Sequence, residues 1–432
     1  MVLLSAILAP MAMAASRGIR DRVALYFALI LLLQAGLFGA FTALNFFHWF
    51  IFWELSLIPA FFLIKLWGGS KSTSAATIFF VYTMLGSVTL LLSFLALFLA
   101  TGTLEFQALA ELARSAQLIP KLAITFRWHD LSGDYIAMVL FAGAFLGFAI
   151  KLPLIPFHTW LPDAYAEAPT GTTMLLTGAL SKLGAYGMLR ILLPIFPQQV
   201  QRARVPLLWL AVATIVLAAY SACAQKDLKR IFAYSSVNHL GYCALAIFAA
   251  TRFTGLDASM AAEKAAALNG AFLQMFNHGL TAATLFWFIA VLEKRSGGLR
   301  GLDDFGGIRK VAPILCGLMG IAVFASLGLP GLNGFIGEFL IFKGVFPLAS
   351  WAAALSTLGL LITAVFLLTV LQRVFSGPLS GRWAAMPDLS TREWLVFVPP
   401  MALMFVLGVY PEVVLSVTNE TVIQLVKQLG MQ

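Results

Sequence analysis

Apolar stretches of roughly 17 to 25 residues follow one another with little interruption from residue 2 to residue 417, and that succession restricts the fold more than any other feature. Inside hydrocarbon every backbone N–H and C=O must be satisfied within the protein, so stretches of this length cross a bilayer as α-helices. We therefore expect an all-α polytopic membrane protein of about twelve spans: 2–16, 24–45, 46–66, 74–100, 134–163, 171–195, 205–223, 230–250, 265–292, 311–349, 351–373 and 392–417. Of the 432 residues 61% are hydrophobic and 11% charged, against roughly a quarter charged in a soluble domain. The first stretch carries a signal-peptide-like Ala12-Met13-Ala14 but has no basic residue before its apolar run, so it is read as a membrane helix.

The net charge of +9 does not point to a nucleic-acid partner, because the basic residues fall in short loops between apolar runs. Taking the loops alternately, one side collects 16 basic residues, among them Arg17, Lys71, Lys229, Arg300 and Arg373, and the other side 10. By the positive-inside rule the first set is cytoplasmic, and both termini lie on the opposite side. Lys151 and Lys182 belong to neither set, since both fall within apolar spans. Cys223, Cys243 and Cys316 have no paired spacing and read as small buried residues. No phosphate-binding glycine loop or zinc-binding helix motif is present in the sequence, so no cofactor is expected on this chain.

Ionisable residues inside a membrane are costly and usually mark an ion pathway or a buried pair. Six stand out. Glu54 lies mid-span in Phe52-Trp53-Glu54-Leu55, and Lys151 precedes the run Lys151-Leu-Pro-Leu-Ile-Pro-Phe-His158. Lys182 sits in Gly178-Ala-Leu-Ser-Lys182, His239 in Ser235-Ser-Val-Asn-His239, and His278 in Phe276-Asn-His278. Glu338 follows Gly328-Leu-Pro-Gly331. A structural ion pair, or a satisfied core histidine, is the alternative reading for each. Pro153 and Pro156 break one span, and the run Gly328-Leu-Pro-Gly331 breaks another, leaving carbonyls that need a protein-lined or wet cavity.

The two broken spans hold corresponding places in two five-span halves, the pattern of an inverted repeat built around midplane sites. This divides the chain into an N-terminal helix and loop (1–23), a first five-helix repeat (24–200), a second (201–376), and a C-terminal helix and tail (377–432).

Taken together, Phe52-Trp53-Glu54-Leu55, Lys151-Leu-Pro-Leu-Ile-Pro-Phe-His158-Thr-Trp-Leu-Pro-Asp163, Ala168-Pro169-Thr170, Lys226-Asp-Leu-Lys-Arg-Ile-Phe-Ala-Tyr-Ser-Ser236 and Gly328-Leu-Pro-Gly331 resemble the antiporter-like subunits of respiratory complex I. That family also serves multisubunit cation/proton antiporters and membrane-bound hydrogenases. Glu338, where sister subunits usually place lysine, and the run Phe52–Pro59 are similar to its M-type branch.

The resemblance implies a proton-translocating subunit of a bacterial inner-membrane NADH-quinone oxidoreductase. NADH, FMN, iron-sulfur clusters and quinone would be held by partner subunits, and the neighbours would be other antiporter-like and membrane-arm subunits and the lipid bilayer. It implies that Glu54 and Lys151 form the paired charges of one half-channel, Lys182 the central carrier, and Glu338 the exit-side carrier. His239 and His278 would lie between Lys182 and Glu338, where imidazoles with an ordinary pKa of about 6.5 both accept and release protons. His158 matches a family histidine of uncertain role, and Tyr165 stands where some relatives have histidine. The family's fourteen spans would place two more helices before Val2.

Overall fold

The structure is a computed structural model and describes residues 1–126, 131–253 and 257–430. Among them no strand is formed, and the chain runs through twenty α-helices. The long ones are α1 (Val2–Ala15), α2 (Val23–Thr42), α3 (Phe46–Trp67), α4 (Ser72–Thr101) and α7 (Gly133–Lys151), with the short α5 (Phe106–Arg114) and α6 (Leu118–Thr125) between the last two. After the first break come α8 (Trp160–Glu167), α9 (Thr170–Leu175), α10 (Lys182–Gly187), α11 (Leu193–Ile195) and α12 (Pro197–Arg202). The second half consists of α13 (Arg204–Cys223), α14 (Leu228–Ala250), α15 (Ala258–Arg295), α16 (Pro313–Leu327), α17 (Asn333–Leu348) and α18 (Ser350–Phe375), followed by α19 (Thr391–Val409) and α20 (Glu412–Gly430).

Nine of these helices are long and apolar enough to span a bilayer on their own. The other three expected spans are α1, the segmented run 170–195, and the broken pair α16 and α17. Helix starts follow local chemistry: Asn45, Ser132, Asp227 and Asp257 each accept a hydrogen bond from a backbone N–H in the first turn of α3, α7, α14 and α15. Gly102 ends α4 in the left-handed region, at φ +73°.

The sequence misjudges the C-terminal end. The expected span 392–417 stops at Val409, because Pro411 offers no N–H and holds Tyr410 out of helical geometry, and a separate helix, α20, follows. α20 packs on the N-terminal half of α15, where Asn269 Nδ2 donates to Asn419 Oδ1 at 2.8 Å. α15 itself exceeds the expected 265–292, running for 38 residues.

α14 and α15 form the centre of the molecule: 94% of each apolar window is buried, against 33–50% for the other seven spans. α13 and α18 pack against one side of this pair, α16 and α17 against another, and α8, α9 and the run after α9 close the remaining side. The loops expected to be cytoplasmic meet on one face. Arg300 Nε lies 2.6 Å from Asp227 and its NH2 3.5 Å from Glu167, Lys229 lies 3.0 Å from Glu293, and Arg373 lies 3.1 Å from Asp303.

Candidate functional site

The backbone breaks expected from proline and glycine are present, and the groups they release are satisfied by neighbours. After α7, Trp160 Nε1 donates to Ile150 O at 3.0 Å, and Ile155 N donates to Thr214 Oγ1 on α13 at 3.0 Å. Between α16 and α17, Gly328 turns at φ +78° and Leu329 N returns to Phe324 O at 3.0 Å. The run after α9 is interrupted in a way the sequence does not announce. Two π-helical turns, Leu176–Leu180 and Met188–Leu192, flank α10, so Lys182 stands where the helical ladder changes pitch. Ser181 N reaches five residues back to Leu176 O, and the Thr177 carbonyl accepts the Ser181 hydroxyl at 3.1 Å together with Lys182 Nζ.

Lys182 is fully buried and also meets His278 Nδ1 on α15 at 2.7 Å. The approach is possible because Gly178 and Gly279 face each other: a Cβ on Gly279 would come within 2.6 Å of Gly178 O. From His278 the line of polar groups continues through α14, with the rings of His278 and His239 5.3 Å apart between centroids. His239 Nδ1 lies 3.1 Å from Glu338 Oε1 on α17, and its Nε2 lies 3.1 Å from Ser326 Oγ near the end of α16. Gln274 Nε2 donates to the same Glu338 oxygen at 3.2 Å. Lys182, His278, His239 and Glu338 are thus brought together on four separate elements, in that order.

Glu54 and Lys151 stand differently from the expected ion pair. Glu54 Oε1 and Lys151 Nζ are both buried, and neither has a hydrogen-bond partner. Lys151 Nζ lies instead 4.7 Å from the centroid of the Trp53 ring, whose Nε1 donates to Ser87 Oγ at 2.9 Å. An indole face attracts a desolvated ammonium, so this placement has its own physical basis. His158 stays at the break, its Nδ1 without a partner and its ring 6.0 Å from Tyr234. Tyr165 is buried against Trp160 and Phe286, with its hydroxyl unpartnered.

Sequence reasoning did not single out Trp53, Thr177, Gln274 or Ser326. Trp53 could have been found from its place next to Glu54. The other three are neutral polar residues of a kind found in any helix, and nothing in the linear pattern distinguishes them. Among the described residues no three His, Cys, Asp or Glu side chains gather as metal ligands.

The profile of the NADH:quinone oxidoreductase/Mrp antiporter transmembrane family matches residues 43–364, which include all six charged or imidazole positions. The chain belongs to that family. NADH-quinone oxidoreductase subunit M of Rhodobacter capsulatus is 35% identical over 427 residues, covering 99% of this chain and 80% of the relative. The protein of the same name from Mycobacterium tuberculosis is 34% identical over 429 residues, covering 98% and 73%. Among solved structures, a chain of respiratory complex I from Thermus thermophilus superposes with a TM-score of 0.84 at 29% identity, covering 99% of this chain and 84% of that one. A chain of the Mrp complex from Dietzia sp. superposes at 0.81 with 19% identity, covering 99% and 84%, a likeness of fold.

Proposed function

We propose that the chain is the M-type proton-translocating subunit of an NADH-quinone oxidoreductase in a bacterial inner membrane. In this reading NADH, FMN, iron-sulfur clusters and quinone reside in partner subunits, and other antiporter-like and membrane-arm subunits flank this one. The observation that carries it is the buried series Lys182, His278, His239 and Glu338, joined by contacts of 2.7 and 3.1 Å with one imidazole-to-imidazole step between. Such a series has no evident use in packing, because four desolvated ionisable groups cost more than the apolar residues that could replace them. It is suited to handing a proton across the molecule. Relatives 33–35% identical that carry the subunit M name support the redox-driven assignment over the cation/proton antiporter or membrane-bound hydrogenase alternative, although the fold is shared with a chain of an Mrp complex.

The roles follow from position. Residues 24–200 and 201–376 form the two repeats, with Lys182 as the carrier of the first and Glu338 as that of the second. Glu54 and Lys151 act as the control element. With Lys151 held over Trp53 the Glu54 carboxylate is apart from it; when the two charges approach, their attraction stabilises the ammonium and alters the balance at Lys182. Electron transfer in the partner subunits would drive that exchange. The decisive experiment measures NADH-driven proton uptake into inverted membrane vesicles for wild type and Lys182→Ala, with assembly checked on native gels. Loss of pumping in an assembled complex is expected, and unchanged pumping would overturn the reading.

A further inference from the structure

Between the two imidazoles lies a cavity of about 10 Å³, room for about one water, lined by His239, Gln274, Asn277, His278, Thr281 and Ser326 among others. Asn277 is buried. Its Nδ2 is engaged by Asn333 O at 2.6 Å, and its Oδ1 has no partner. His278 is held through Nδ1 by Lys182, which leaves Nε2 as a donor, and no hydrogen bond joins its ring directly to that of His239, 5.3 Å away between centroids. Ser326 Oγ lines the same cavity and lies 3.1 Å from His239 Nε2.

Resting on the proton-translocation reading above, we infer that this cavity is a single-water site and that Asn277 and Ser326 complete the relay between the two histidines. Water there accepts from His278 Nε2–H and donates to Asn277 Oδ1 and Ser326 Oγ, which is the usual complement of about three hydrogen bonds. The Ser326 hydroxyl donates to His239 Nε2, and His239 Nδ1–H donates to Glu338. When Lys182 passes its proton to His278 Nδ1, the Nε2 proton goes to the water and a water proton to Ser326 Oγ. The Ser326 hydroxyl proton then passes to His239 Nε2, and the Nδ1 proton goes to Glu338. Lys182 ends with one proton fewer and Glu338 with one more. Water and Ser326 are unchanged, and each imidazole ends as its other tautomer. Ser326 is the hydroxyl through which the proton passes, and Asn277 positions the water.

Valine and threonine have nearly the same shape, so Ser326→Val and Ser326→Thr burden packing alike and differ by one hydroxyl. Both are compared with wild type and with Lys182→Ala in the assembled complex, by proton uptake per NADH oxidised and by the solvent deuterium isotope effect on that uptake. Ser326→Thr is expected to pump near the wild-type rate and Ser326→Val to fall by about a hundredfold or more, the lower end of what a positioned proton-transfer group supplies. Equal pumping and equal isotope effects in the two variants, with Lys182→Ala inactive, overturn the relay while leaving the proton-translocation reading standing. Full pumping by Lys182→Ala removes both. If neither larger side chain assembles, Ser326→Ala is compared with wild type in the same way: a slower uptake with a changed isotope effect supports the relay, and wild-type behaviour refutes it.

Discussion

A methyl group at position 328 would meet Glu338 Oε2 at 2.8 Å, and the residue's φ of +78° is one that side chains other than hydrogen resist. Gly328 therefore does two things at once: it lets α16 end and it leaves room for the carboxylate. Gly328→Ala should lower stability by about 1–2 kcal/mol from the backbone alone and displace Glu338 from His239 as well. Thermal unfolding of the solubilised complex reads the first effect, and proton uptake per electron pair the second. At Trp53, replacement by leucine removes an attraction of about 0.5–2 kcal/mol on the Lys151 ammonium. The expected outcome is a complex that assembles and oxidises NADH but pumps fewer protons per electron pair, since Lys151 is no longer held apart from Glu54; an unchanged ratio would dismiss Trp53 as a mere packing group. At this scale the sequence is most readable where charge and hydrocarbon conflict. Glu54, Lys151, Lys182 and Glu338 declare themselves because a charge within an apolar run needs a reason. Asn277, Gln274 and Ser326 do not, because an amide or hydroxyl in a helix is commonplace and acquires meaning only from its neighbours in space.

Two kinds of element escaped linear reading for different reasons. The apolar run 392–417 looks like one span because valines and leucines continue past Pro411, yet the proline divides it into α19 and α20. The π-helical turns around Lys182 have no compositional signature at all; the first of them packs against α15 and the second against α7. That fit makes a prediction. A β-branched side chain in place of Gly279 would push α15 away from Gly178, whose carbonyl is 2.6 Å from the position of a new Cβ. Gly279→Val should thus separate Lys182 from His278 and abolish pumping while circular dichroism reports undiminished helix. Survival of both helix content and pumping would show that the close approach is dispensable. The broken helices, by contrast, were readable, because proline and paired glycines act on the backbone whatever the tertiary context.

For the molecule as a whole, the ion pairs of Arg300, Lys229 and Arg373 gather the basic loops on one face, and α20 packs towards the other end of α15. Cys223 is exposed, against the buried position expected of it; with it replaced by serine, a membrane-impermeant maleimide should label Arg309→Cys only from the cytoplasmic side and Glu420→Cys only from the opposite side. The reverse pattern would turn the topology over without disturbing the fold. The length of α15 has a mechanical corollary. Its 38 residues extend for about 57 Å, well beyond a hydrocarbon core of about 30 Å, so both of its ends are accessible to whatever abuts this subunit. His278 stands about 26 Å along it from Arg295, and a tilt of about 3° pivoted there moves the imidazole by about 1.4 Å. That displacement is half of the 2.7 Å that separates it from Lys182. A tilt of that size, imposed from one end of the rod, would make or break the contact between Lys182 and His278.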